Sequence, residues 1–206
     1  MINFKRSMFT LATVAALISS VGARAGTVEY NGYNVLNNSS ATISSNSGNE
    51  LVGSGQIQLN TTTGMLSTWC VDVYDYLKTA GVFNTGTYMT GEVADKINAL
   101  LSNGEPMLSS GFNVSSALQI AVWRVEYSDL TITAQNSNTN ALADSYVSYV
   151  NDGTWQANGN MAVALLMEDG NQIQAYLTAV PEPASMMLMA VGLLGYMTTR
   201  RRATQA

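Results

Sequence analysis

Apolar and polar residues alternate along several stretches near both ends of the segment 26–180, with the period of two that is typical of β-strands. The clearest stretches are GQIQLN, TWCVDVY and NQIQAYLTA. In the second stretch, Trp69, Val71 and Val73 would face the core, so Cys70 would point to the opposite, more polar side of the strand. Both ends of the segment are therefore predicted to be strands.

Glycine-containing dipeptides mark the expected turns between these strands. Asn31-Gly32 separates two short β-branched and aromatic runs, and Asp169-Gly170 interrupts the last apolar stretch, so each predicts a hairpin turn. Thr63-Gly64 predicts another turn before the cysteine-containing stretch. The small polar residues of 37–49 predict a mobile loop or an irregular edge.

The middle of the segment has the helical period of about 3.6 residues. A first helix is predicted to begin at Gly91, a second near Asn113 or Ser115, and a third to run from Thr139 to Asn151. Because strands precede and follow these helices, the pattern predicts an α+β fold. We expect an antiparallel β-sheet or sandwich made of the N- and C-terminal strands, with a central segment of about three helices.

Residues 1–25 have the pattern of a secretory signal peptide. Lys5 and Arg6 precede an apolar run from Met8 to Val21, and Ala23-Arg24-Ala25 fits the small-residue cleavage pattern. A short core helix is the alternative. We expect export of the chain and a single domain over residues 26–180.

The other end has a proline-containing break, an apolar run and a basic cluster. Pro181-Glu182-Pro183 is followed by the uncharged stretch Ala184 to Thr199, and then by Arg200, Arg201 and Arg202. An apolar run of this length predicts a short transmembrane helix, and the arginines would lie at its cytoplasmic side. The segment 181–206 is therefore predicted to hold the chain in the membrane, with the domain outside.

The motif, its order and its position resemble the PEP-CTERM sorting signal of Gram-negative bacteria that make exopolysaccharide. The resemblance implies that an exosortase-type enzyme recognises the tail and removes it near the PEP motif. The chain would then pass from a transient inner-membrane anchor to the cell surface or extracellular matrix. A plain C-terminal anchor is the alternative.

Charge and composition exclude several functions for the segment 26–180. It holds three basic side chains against thirteen acidic ones, a formal charge near −10, so nucleic acid is a poor partner. The chain has no histidine and one cysteine, which excludes histidine-based triads and zinc sites built from cysteine or histidine. We expect neither a metal nor another cofactor.

The single cysteine of an exported chain needs an explanation, because exported cysteines usually form disulfides. Cys70 is compatible with a buried inert thiol, an intermolecular disulfide, a catalytic nucleophile or an internal thioester to a glutamine. The nucleophile would lack a histidine base.

Two stretches resemble the signatures of bacterial thioester domains of the TQXA type. The first is WCVDVY, which contains Cys70, and the second is LQIAVW, which contains Gln119. Gly86 and Tyr88 fit the glycine-aromatic segment expected between them, whereas Leu118 stands where the family usually has threonine. The resemblance spans roughly residues 65–127 and implies a thioester between Cys70 and Gln119.

Other side chains near these two in sequence are candidates for supporting roles. Trp69, Trp123 and Ala121 would form a dry wall of the site, and Asp72 and Glu126 would transfer protons. The alternative for Trp69, Trp123 and Ala121 is that they are ordinary core residues. The alternative for Asp72 and Glu126 is that they are ordinary solvated carboxylates.

These observations predict an exported, adhesin-like surface or biofilm-matrix protein that is not an enzyme. Its thioester would react once with an amine of a surface protein or a hydroxyl of extracellular polysaccharide. The main alternative is a non-reactive structural or polysaccharide-binding matrix protein. A hydrolase would need two carboxylates facing one cleft, for which Asp72 and Glu126 are examples without a motif.

Overall fold

The computed structural model describes residues 26–45 and 48–180. The predicted signal segment 1–25 and the tail 181–206, with its predicted transmembrane helix, lie outside the described residues. The strands of the described part are β1 Thr27–Ser45, β2 Gly48–Thr61, β3 Gly64–Cys70, β4 Ala80–Tyr88, β5 Thr131–Ala134, β6 Met161–Met167 and β7 Gln174–Ala179. Its α-helices are α1 Glu92–Gly104, α2 Phe112–Glu126 and α3 Ser137–Asn151, and a 3₁₀ helix, Glu105–Ser110, follows α1.

The strands of the described residues close into a six-stranded antiparallel barrel. Neighbouring strands follow the order β2-β3-β7-β6-β4-β1, and β1 pairs again with β2, while β5 pairs with the far end of β1. The predicted antiparallel sheet or sandwich is therefore wrong, although the predicted α+β class is roughly compatible with a barrel that carries three helices. Closure leaves the six strands of the ring paired on both sides, which satisfies backbone groups that an open sheet would expose at its edges.

The long first strand explains why the ring closes. The predicted hairpin at Asn31-Gly32 is absent, because β1 continues through it with a shift of register between Tyr30 and Tyr33. Gly32 uses its positive φ of 97° in that irregularity instead of in a turn. The predicted loop 37–49 is also wrong, since its described residues pair as far as Ser45 with Gly48.

The hairpins at Thr63-Gly64 and Asp169-Gly170 and the three helices lie where the sequence predicts them. Helix α2 is buried along ten consecutive residues, from Val114 to Trp123. A helix that is buried all round occupies the centre of a fold. It therefore brings any functional side chain of its middle turns into the interior.

A polar seam, which consists of Ser115 of α2 and the backbone groups of Leu36 and Gln56, connects α2 to the barrel at a second irregularity of β1. The register of β1 on β2 shifts between Leu36 and Ser39, which leaves backbone groups without ladder partners. Ser115 Oγ donates to Leu36 O at 2.9 Å and accepts from Gln56 N at 2.8 Å. The seam fixes the height and rotation of α2 against β2.

Candidate functional site

Cys70 is the last residue of β3, at a point where that strand loses one of its two neighbours. Pairing of β3 with β2 ends at Thr68 and Ile57, while pairing with β7 continues to Cys70 and Gln174. Val71 N donates to Ile173 O on the β7 side, so the N–H and C=O of Cys70 point to the vacated β2 side. Those two backbone groups need another partner.

The side chain of Gln119 provides that partner. Its Oε1 accepts from Cys70 N at 3.0 Å, and its Nε2 donates to Cys70 O at 2.7 Å. The carboxamide thus replaces a neighbouring strand for one residue. Cys70 is 2% exposed and Gln119 is 1% exposed, so this pair lies in the interior. The structure therefore brings together the two residues of the predicted thioester.

Both residues line a cavity of about 270 Å³. One wall comes from the β1–β2 hairpin and another from the segment after β3, which includes Val73 and Leu77. Trp123, one helical turn after Gln119 on α2, also lines it. A small reagent that enters this cavity would reach the carboxamide and the sulfur.

Burial controls the ionisation of the thiol. It raises the pKa of Cys70 to about 12, and the charge of Asp72 acts in the same direction. The Trp123 side chain and the backbone of Asp72 act in the opposite direction, but their effect on the pKa is smaller. The thiol donates to Asp72 O at 2.9 Å. The sulfur is therefore a protonated thiol at neutral pH.

The three predicted wall residues occupy different places. Trp123 is 3% exposed and lines the cavity, whereas Trp69 and Ala121 are fully buried and do not line it. Trp69 alternates with Cys70 along β3, and its Nε1 donates to Glu105 Oε1 at 2.7 Å. Trp69 thus packs on the face of β3 opposite to the cysteine side chain.

The two predicted proton-transfer residues lie at the margin of the site. Asp72 Oδ1 accepts from Tyr74 N at 2.9 Å and caps the turn that follows β3. Glu126 is half-buried and does not line the cavity. Burial raises the pKa of Glu126, and its Oε2 has no hydrogen-bond partner among the described residues.

Sequence reasoning missed the outer part of the cavity. Glu50 on β2 and Tyr76 after β3 both line it, and the Tyr76 hydroxyl donates to the Glu50 carboxylate across that region. Asp75 and Gln172 also contribute to the lining. The place of Glu50 in the cavity lining depends on its pairing with Ile43 of β1, which lies in the stretch predicted to be a loop or an irregular edge. No local sequence signal therefore identifies Glu50. The Tyr-Asp-Tyr run 74–76, close after Cys70, is the signal that could have identified Tyr76.

Comparison with known families supports the predicted sorting signal at the C-terminal end. Residues 179–202 match the PEP-CTERM protein-sorting motif, which includes Pro181-Glu182-Pro183 and the arginine cluster. The motif confirms the predicted sorting signal. It implies an exported surface protein that an exosortase processes, with a C-terminal membrane anchor before processing. Among the described residues, no helix combines the length and apolarity needed to cross a membrane.

The other comparisons add little. No curated protein sequence matches this chain. One similar solved structure is the N-terminal domain of the Streptococcus pyogenes pilus tip adhesin Cpa, with 12% identity, 78% of this chain and 100% of that chain covered, and a TM-score of 0.45. A likeness of this extent establishes neither a shared fold nor a shared function. In the ranges 26–45 and 48–180, no group of three acidic or cysteine residues could hold a metal ion.

Proposed function

We propose that the domain forms an internal thioester between Cys70 and Gln119 and uses it once to attach the protein covalently to a surface molecule. The observation that supports this proposal is the double hydrogen bond between the Gln119 carboxamide and the backbone of Cys70, at 3.0 and 2.7 Å. This pair of bonds holds the Gln119 carboxamide against the residue that carries the single sulfur of the chain.

The chemistry balances without a cofactor. Cys70 Sγ attacks the side-chain carbonyl carbon of Gln119, the new C–S bond replaces the C–N bond, and the amide nitrogen leaves with the thiol proton as ammonia. Cys70 N–H already donates to the Gln119 oxygen that gains negative charge during this attack. A backbone donor placed at such an oxygen stabilises the transition state.

Proximity has to compensate for the low acidity of the thiol. With a pKa of about 12, Cys70 supplies little thiolate at neutral pH. Because the carboxamide is held on the backbone of the same cysteine, the attack would be intramolecular, and intramolecular attack accelerates such reactions by many orders of magnitude. Asp72, whose backbone oxygen accepts from the thiol, and Glu126, whose pKa is raised by burial, are the proposed carriers of the proton.

Burial would also preserve the product. An exposed thioester is hydrolysed, whereas Cys70 and Gln119 are 2% and 1% exposed and Trp123 covers one side. A nucleophile would enter past Glu50 and Tyr76. The proposed targets are an amine of a surface protein or a hydroxyl of extracellular polysaccharide, as suits an adhesin-like or biofilm-matrix protein. Because each site reacts once, the protein would not be an enzyme.

The intact mass of the purified domain tests the proposal. We expect the wild-type protein to be lighter than its sequence by one ammonia, and both Cys70→Ala and Gln119→Ala to have the full mass of their sequences. Treatment with methylamine should convert wild-type protein to a methylamide at Gln119 and release one titratable thiol. Gln172→Ala is the matched control, because Gln172 lines the same cavity but does not bond to Cys70. It should keep the mass deficit.

Two results would contradict the thioester. A wild-type domain of full mass, with a thiol that titrates after unfolding, would favour a non-reactive structural or polysaccharide-binding matrix protein. A mass deficit that persists in Cys70→Ala would arise elsewhere, for example from succinimide formation at Asn31-Gly32.

A further inference from the structure

The indole N–H of Trp123 makes no hydrogen bond of ordinary geometry in the part of the chain that the structure describes, although the side chain acts on Cys70 as a hydrogen-bond donor and lowers the pKa of its thiol. Its Nε1 atom is buried, and the whole side chain is 3% exposed. Trp69 differs, because its Nε1 donates to Glu105. Most buried donors have a partner, so each one that lacks it needs an explanation, and a role in catalysis is one such explanation. The position of Trp123, in the cavity wall with Cys70 and Gln119, indicates where to look for that function.

The sulfur of Cys70 is the neighbouring atom whose capacity to accept a hydrogen bond changes during the proposed reaction. The Trp123 side chain lowers the pKa of Cys70, which means that the indole favours the thiolate. As a thiol, the sulfur is a weak acceptor, and its own hydrogen goes to Asp72 O at 2.9 Å. As a thiolate it becomes a strong, charged acceptor.

We propose that Trp123 is a catalytic residue of the thioester reaction and that its Nε1–H donates to Cys70 Sγ when the sulfur becomes a leaving thiolate. The inference rests on the proposed function. An amine attacks the carbonyl carbon of the Cys70–Gln119 thioester, the C–S bond breaks, and its electron pair goes to Sγ. The amine nitrogen loses a proton, and a proton binds to Sγ. The products are an amide at Gln119 and a free thiol at Cys70.

The titratable groups around the sulfur do not offer the same help. Asp72 opposes the thiolate charge. Glu126 is a carboxylate, and the Tyr127 hydroxyl donates to Val71 O at 2.9 Å. Farther out in the cavity, Glu50 and Asp75 add negative charge as well. A neutral, buried N–H is the group in this environment that stabilises a leaving thiolate without taking part in proton exchange.

The test compares the rates at which methylamine opens the thioester in the wild-type domain and in Trp123→Phe, followed by intact mass. Phenylalanine keeps an aromatic ring in the wall but has no N–H. We expect the rate to fall by at least about 10-fold, as for the loss of one transition-state donor. Trp69→Phe makes the same chemical change at an indole that faces away from the cavity, and it should leave the rate unchanged.

A second measurement separates hydrogen bonding from packing. The domain opened by methylamine is treated with iodoacetamide at one fixed pH, and the rate at which Cys70 is alkylated, followed by intact mass, reports its thiolate fraction. Trp123→Phe should lower this rate, whereas Trp69→Phe should not. A mass deficit in wild-type protein together with equal rates of methylamine opening or equal rates of alkylation in Trp123→Phe overturns the role of Trp123 alone. Absence of the wild-type deficit overturns the proposed function and this reaction step together.

Discussion

At the scale of single residues, the wall of the cavity depends on Gly55. A Cβ at this position would lie 2.8 Å from Leu36 O and 3.3 Å from Asn38 Cα. Both are backbone atoms at the irregularity that also receives Ser115 of α2. The close approach of β2 to β1 at this point is therefore possible only without a side chain.

Gly55→Ala should lower the free energy of unfolding by about 1–3 kcal/mol, because the backbone of β1 has to move away from the new methyl group. Urea unfolding of the isolated domain measures the change. Gly53→Ala is the matched control, since a Cβ there would meet no atom within 4 Å. A loss in Gly55→Ala no larger than in Gly53→Ala would show that the irregularity adapts freely.

The two residues that meet at the site could be predicted from the sequence, but the geometry of their contact could not. Cys70 and Gln119 are recognisable because a solitary exported cysteine and a following glutamine motif are uncommon. The hydrogen bonds of the carboxamide to the backbone of Cys70 depend on where β2 stops pairing, which no local pattern shows. The orphaned N–H of Trp123 likewise exists only once the helix is placed.

At the scale of elements, Arg124 joins three parts of the helical layer. Its Nε donates to Ile132 O of β5 at 2.8 Å, and its two terminal nitrogens donate to Asn140 and Asp144 of α3, each at 2.7 Å. The side chain is only 17% exposed, whereas that of Asp144 is 62% exposed. The planar guanidinium, more than the ion pair, should therefore hold α2, β5 and α3 together.

Arg124→Lys should cost about 1–3 kcal/mol of unfolding free energy, since an ammonium group cannot make all three bonds in the same directions. Asp144→Asn removes only an exposed charge and should cost about 1 kcal/mol or less. Urea unfolding of both variants distinguishes the two contributions. Equal losses would mean that the ion pair, and not the three-way connection, stabilises this layer.

The helices could be predicted from the sequence, whereas the strands could be predicted only in part. The difference is that a helix is defined by local spacing, while a strand also depends on its partner. Apolar residues at helical spacing define a helix locally, so α1, α2 and α3 begin near their predicted residues. Asn31-Gly32 fits a hairpin turn and a bulge equally well, because both use the positive φ of Gly32. The polar residues 37–45 and 48–49 lie in strands because β1 and β2 pair with each other, and no pattern within these residues shows that pairing.

At the scale of the whole molecule, closure of the barrel is the feature that no stretch of sequence reveals. It requires β1 to pair with β2 on one side and with β4 on the other, and β5 adds to the second side outside the ring. The sorting signal is the opposite case, because a contiguous motif carries it and the match at residues 179–202 needs no fold. The chain thus combines an acidic domain, which holds the proposed reactive site, with a sorting signal that directs the protein to the cell surface.

The sorting motif predicts how the full chain is processed in a bacterium that has an exosortase. Wild-type protein should be recovered from the surface with a mass that lacks the tail. Replacing Pro181, Glu182 and Pro183 together by alanine should leave the tail uncut and the chain in the membrane fraction, because the sorting enzyme loses its recognition motif. Fractionation followed by intact mass measures both outcomes.

Two comparisons make this result specific to the motif. Thr204→Ala combined with Gln205→Ala changes the same tail beyond the matched residues and should be processed like wild type. Wild-type chain in a strain without the exosortase should behave like the triple alanine variant. If the triple variant were cut at the same place as wild type, recognition would rest on the apolar run or the arginines instead of on the Pro-Glu-Pro motif.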